Sequence, residues 1–144
     1  MCINKQMKYN LLSIACILIL ISLIFVLVFK QVKENFSQYN PVIQTLKENV
    51  ITCFPELGNI KIYEGDKSYT INKEKIYLCI RDKDGQYYNQ NILMYVLLHE
   101  IAHTLCPEIG HTQSFKDIFN SLIERANAYG IYSHVDIPKD YCLE

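Results

Sequence analysis

The chain has 144 residues, half of them hydrophobic, and 14 basic side chains nearly balance 15 acidic ones for a net charge of −1 at neutral pH. With the two signs interspersed after Lys30, there is no basic stripe and no acidic tail, which argues against nucleic acid as a partner. Once an apolar amino-terminal stretch is set aside, about 115 residues remain, enough for one compact domain with its own core but not for two.

Residues 1–10 form a short amino-terminal segment. From Leu11 to Phe29 the chain carries no charge, proline or glycine, and Lys8 and Lys30 bound the run. That length crosses the hydrocarbon core of a bilayer as one helix. A cleaved signal peptide competes with this reading, but its apolar core is usually about 7–15 residues and ends at a small-residue cleavage site. Phe29-Lys30-Gln31-Val32-Lys33-Glu34 provides none. The remaining domain is also too small to enclose a helix that is apolar on every face. The expectation is a single-pass membrane protein with its span at 11–29 and one domain over 30–144. Lys5 and Lys8 before the span balance Lys30 and Lys33 after it, so the charge rule leaves the orientation open. The sequon Asn35-Phe36-Ser37 lies too close to the membrane to decide it.

Asn40-Pro41 reads as an N-cap and first helical position, opening a helix through Thr52. Val42, Ile43, Leu46, Val50 and Ile51 make its apolar face, and Pro55 stops it. Ile60–Tyr63, Tyr69–Ile71 and Lys75–Ile80 read as short strands separated by turn signals at Gly65-Asp66 and Asn72-Lys73, together a small β-meander. A peptide could add to the strand at Tyr77–Ile80 if that strand is an edge, whereas Tyr77 merely packs if it is interior. Asp84-Gly85 lacks the spacing of a calcium loop and reads as a turn.

Ile92 to Leu105 is apolar on nearly every face and describes a buried helix, yet it holds the pentapeptide His99-Glu100-Ile101-Ala102-His103. Two histidines in such a helix are costly without partners, and a ligand role supplies one. Positions i and i+4 share a helix face, so His99 and His103 can aim at one ion while Glu100 stands about 100° around, where a general base belongs. A catalytic zinc takes three protein ligands and keeps one position for water. His111, after a turn containing Pro107 and Gly110, is the third ligand expected here. Glu124 is the rival. In the helix from Ser114 to Tyr129, Phe115, Ile118, Phe119, Leu122, Ile123 and Ala126 form one stripe, and Glu124 falls opposite it, toward solvent.

A histidine motif of this form, followed by a Gly-containing turn, a third histidine and a phenylalanine four residues on, as in Gly110-His111-Thr112-Gln113-Ser114-Phe115, resembles the SprT-like and WLM group of minimal zinc metallopeptidases. The resemblance covers roughly Ile92 to Tyr129 and implies zinc held by His99, His103 and His111, with Glu100 as catalytic base. Thr112 departs from the glycine often found there, and the accessory zinc or nucleic-acid modules of some members have no counterpart, so a DNA-linked role does not carry over. The small size and apolar amino terminus also resemble HExxH proteins of some large DNA viruses.

After a helix end at Gly130, the tail offers Tyr132, His134 and Tyr141 as donors to an oxyanion, and His134 as a spare ligand. Asp117 or Asp136 could orient a ligand imidazole. Cys2 precedes the span and Cys16 lies within it, and the wide spacing of Cys53, Cys79, Cys106 and Cys142 shows no Cys-x-x-Cys zinc signature. Those four could pair as two disulfides or pack as reduced apolar side chains. The expectation is an α+β chain: a transmembrane helix, then a zincin-like domain with a short meander and an active-site helix. It would hydrolyse peptide bonds in a protein or peptide substrate, and no feature fixes an oligomeric state. The alternative is a noncatalytic membrane-tethered binding or assembly protein with a structural metal site.

Overall fold

The computed structural model describes residues 2–142 and divides at Phe36/Ser37 into two compact units. The first is formed by α1 (Cys2–Gln38), whose last two residues belong to the second. Its stretch Leu11–Gln38 is long and apolar enough to cross a membrane. The large hydrophobic side chains from Leu11 to Phe29 are each 52–70% exposed, so this helix uses its apolar surface for no core of its own. The helix outruns the apolar segment because Gln31, Lys33 and Glu34 are good helix formers and nothing before Tyr39 breaks it.

The second unit is an α+β domain. Asn40 caps α2 (Pro41–Cys53) by accepting from the Val42 N–H at 2.9 Å, with Pro41 in the first turn as the sequence suggests. Ile43, Leu46, Val50 and Cys53 are its buried side chains; Val42 and Ile51 lie at the margin. A short 3-10 turn at Pro55–Leu57 leads to β1 (Lys61–Glu64), β2 (Tyr69–Ile71) and β3 (Lys75–Leu78).

The strands are not a meander. Their order is β1-β3-β2, with β1 parallel to β3 and β2 antiparallel to β3. Ile76 and Leu78 of β3 are fully buried, whereas β2 buries none of its three residues completely, so β3 takes the centre and β2 becomes an edge. Parallel neighbours need a crossover, and here the 65–71 segment supplies it by passing to the far side of β3. The β2–β3 turn is a tight one: Asn72 and Lys73 both have positive φ, 51° and 57°, and the Glu74 N–H donates to the Ile71 carbonyl at 3.0 Å. β3 ends at Leu78 rather than Ile80 because the Cys79 N–H turns to the Ser68 hydroxyl at 3.0 Å. With β3 interior, the second of the two alternatives for this strand holds: Tyr77 packs, its ring stacked on those of Tyr63 and Tyr69, and β3 offers no edge to a peptide.

Beyond β3, Asp82 accepts from the N–H groups of Asp84 and Gln86, and Gly85 sits at φ 78°, so Asp84-Gly85 is the expected turn. Asn89 caps α3 (Gln90–Leu105) by accepting from the Asn91 N–H, which starts the helix two residues before its first apolar side chain. α3 packs against β2, β3, α2 and α4 (Gln113–Ala128), and Leu93, Leu97, Leu98, Ile101 and Ala102 are at most 1% exposed. Pro107 ends it, and Thr112 caps α4 through the Phe115 N–H. Phe115, Leu122 and Ala126 of α4 are buried, and Glu124 faces solvent as its phase requires.

Candidate metal centre

α3 sets His99 and His103 on one face, one turn apart, and the loop after Pro107 turns back through Gly110, at φ 88°, to deliver His111. The Nε2 atom of His111 lies 3.1 Å from that of His99 and 3.2 Å from that of His103. All three ligand atoms fall within 4.8 Å of one another. One imidazole nitrogen cannot donate to two others, because a neutral ring carries a single N–H. A cation at the centre satisfies all three lone pairs at once, and a tetrahedral ion bound at about 2.0–2.1 Å would space its nitrogens by about 3.3–3.4 Å. His99, His103 and His111 could therefore hold a metal ion, and the cluster has three members rather than four among the described residues.

The electrostatics suit ligands. Burial, reinforced by His103 and His111, pushes the His99 imidazolium down to about pKa 4, and burial and His111 lower His103 as well. Both rings are then neutral near pH 7, as a metal requires. Phe115 packs on all three rings, with centroids 5.0 Å from His99, 4.4 Å from His103 and 4.8 Å from His111, and Phe119 lies 5.3 Å from His99. The first turn of α4 thus fixes the ring orientations. Sequence reasoning saw Phe115 as part of a stripe and a motif, not as this support.

Glu100 is 7% exposed, the one buried charged residue of the described core. Burial raises its carboxyl pKa, opposed by the Thr70 hydrogen bond and by His111. The Thr70 hydroxyl lies 2.8 Å from Oε2 of Glu100 and 3.1 Å from its carbonyl oxygen. Thr70 escaped the sequence reading because it stands thirty positions away on an edge strand, where local spacing carries no signal. Lys73 adds a second tie. Its ammonium donates to the carbonyls of Cys106 at 2.6 Å and Pro107 at 3.0 Å, capping α3 where the His111 loop begins.

Several other candidates lie elsewhere. His134 is exposed and pairs loosely with Asp136 at 4.0 Å, so neither joins the cluster. Asp117 accepts from Gln113. Tyr132 is buried against Tyr95, and burial raises its phenol. The Tyr141 phenol is engaged with Ser68 and with the Cys79 carbonyl. Among the described residues the cysteines form one disulfide, Cys79–Cys142, rather than two or none, and Cys53 and Cys106 are free and separately buried, on α2 and just after α3.

Fold and site together define an α+β domain with a three-histidine cluster able to hold a metal, preceded by a helix able to cross a membrane. The chain is 50% identical over 90 residues to "Uncharacterized protein 136R" of Invertebrate iridescent virus 6, covering 60% of this chain and 51% of that protein. It is 48% identical over 87 residues to "Uncharacterized protein 042R" of Invertebrate iridescent virus 3, covering 59% and 55%. It is 38% identical over 116 residues to "Uncharacterized protein R325" of Acanthamoeba polyphaga mimivirus, covering 76% and 57%. The chain thus spans little more than half the length of these relatives. No protein-family model and no solved structure matches it.

Proposed function

We propose that the chain is a membrane-anchored, zinc-dependent metallopeptidase of the SprT-like and WLM type, with a zincin-like domain. The observation that carries this reading is a three-donor imidazole cluster with a buried glutamate in the same helix. A closed structural site takes four protein ligands, whereas three leave a position for chemistry. Zinc held by His99, His103 and His111 would bring the pKa of water toward neutrality and polarise a carbonyl.

The rest belongs to the chain. Glu100 takes the proton of the attacking water and passes it to the leaving amine, a task helped by a carboxyl pKa raised toward working pH. Thr70 holds that carboxylate in one rotamer. β2 is the sheet edge that contacts α3, and an extended peptide would add beside it rather than beside β3. α1 anchors the domain to the membrane. The test is cleavage of internally quenched peptides by the zinc-loaded full chain in detergent micelles. Glu100→Gln should keep the metal and lose activity by about 10²–10⁴-fold. A zinc-loaded chain that cleaves nothing would instead favour the membrane-tethered binding or assembly role.

A further inference from the structure

The carboxy-terminal segment has no helix or strand from residue 132 to 138, yet both of its ends are fastened. At the near end, Ser133 exchanges two hydrogen bonds with Asn91, each 3.0 Å long. At the far end, Cys142 is bonded to Cys79, 63 positions earlier, with the Cα atoms 6.3 Å apart. The Ser68 hydroxyl donates to the Tyr141 phenol at 3.1 Å, and that phenol donates to the Cys79 carbonyl at 2.5 Å. The Cys142 N–H donates to the Tyr88 hydroxyl at 3.1 Å, and the rings of Tyr88 and Tyr141 meet at 4.7 Å. Cys142 itself holds a left-handed φ of 49°, a conformation a non-glycine residue keeps only when its surroundings impose it.

This latch places Tyr141 and Cys142 as one wall of a cavity of about 360 Å³, with Lys67, Ser68, Tyr95, Val96 and His99 as its other walls. The volume lies at the lower end of small-ligand sites, which suits one large side chain. Four of the seven walls are two phenol rings, a valine and a disulfide sulfur, which suit an apolar occupant, and Lys67 brings the one formal charge. His99 is at once a wall of the cavity and a member of the metal cluster, so an occupant would sit directly beside the reacting bond.

We propose that the cavity receives an apolar or aromatic side chain of the peptide substrate, and that the Cys79–Cys142 disulfide governs this selectivity by latching the strap that walls it. The proposal rests on the peptidase reading. A dithiol opens the latch by thiol–disulfide exchange: the S–S bond breaks, the two cysteines gain two electrons and two protons, and the dithiol becomes a disulfide. With the bond broken, the far end of the strap loses its covalent tie and keeps the hydrogen bonds of Tyr141 and Cys142 and the packing of Tyr141 on Tyr88. The wall then rests on non-covalent contacts alone and can shift, while the histidines stay on α3 and its following loop.

The experiment uses the zinc-loaded full chain in detergent micelles and internally quenched peptides identical except for Phe, Leu, Ala or Asp beside the scissile bond. The oxidised protein should cleave the Phe peptide at least tenfold better than the Asp peptide by kcat/KM. Treatment with a trialkylphosphine, which reduces the bond while water supplies its oxygen, should erase that ratio with zinc content unchanged. Cys142→Ser should reproduce the result without reductant, and where that variant loses its fold the reduced wild type decides. A ratio unaltered by reduction overturns the proposal and leaves the peptidase reading standing. Loss of zinc on reduction overturns it too, because the disulfide would then hold the metal centre together. Failure of the oxidised, zinc-loaded chain to cleave any peptide overturns both.

Discussion

α1 and α3 are the two most apolar helices of the chain, and they put that property to opposite uses. From Leu11 to Phe29 the large side chains of α1 stay more than half exposed, whereas Leu93, Leu97, Leu98 and Ile101 of α3 are sealed in the core. Apolar composition alone therefore does not place a helix. What separates the two is interruption: the α1 run contains no ionisable group other than Cys16, whereas α3 carries two partly accessible histidines and a buried glutamate. Polar groups in a buried helix call for a partner, and the neighbouring His111 and Thr70 show what they find.

The comparison can be broken at several points. The largest effect is expected from Leu97→Ala, which removes a fully buried side chain and should cost about 2–5 kcal/mol in chemical denaturation of the full chain. Leu20→Ala, at a residue 58% exposed on α1, should leave the unfolding of the second unit unchanged. Leu20→Arg tests the other half of the contrast, because a central arginine costs a membrane helix about 3 kcal/mol on insertion scales. Carbonate extraction of membranes should release this variant and retain the wild type.

Acid should act on α3 and not on α1. The folded-state pKa of His99 is about 4, below its ordinary value of 6.5, so the unfolded chain binds a proton first as pH falls. The stability of the metal-free protein should be full above pH 6.5 and decline toward pH 4, and His99→Gln should flatten that decline in a thermal melt. Smaller still is the effect of Thr70→Val, which removes one hydrogen bond and should slow peptide cleavage by about tenfold. Because that bond holds the Glu100 pKa down, its loss should move the acidic limb of the kcat/KM profile to higher pH.

Much of this contrast was legible in the sequence. The N-cap at Asn40, the stop at Pro107, the outward phase of Glu124 and the convergence of His99, His103 and His111 all follow from local periodicity and turn chemistry. Strand order was not legible, because three short strands of similar apolarity can be joined in more than one way, and burial of Ile76 and Leu78 decides it only in three dimensions. The Thr70 contact and the Cys79–Cys142 pairing were hidden for the same reason, since each joins residues thirty or more positions apart. Both lie close to the candidate site, so its supporting residues were less readable than its three histidines.

The most direct test of the account is the zinc content of the full chain purified in detergent without chelator, measured beside His103→Ala and Glu100→Gln. One zinc per wild-type chain, lost in His103→Ala and kept in Glu100→Gln, is the predicted result. A folded wild-type chain that stays zinc-free after zinc is added back would contradict it, and the three imidazoles would then have to be explained as a hydrogen-bonded cluster in a protein that does no metal chemistry.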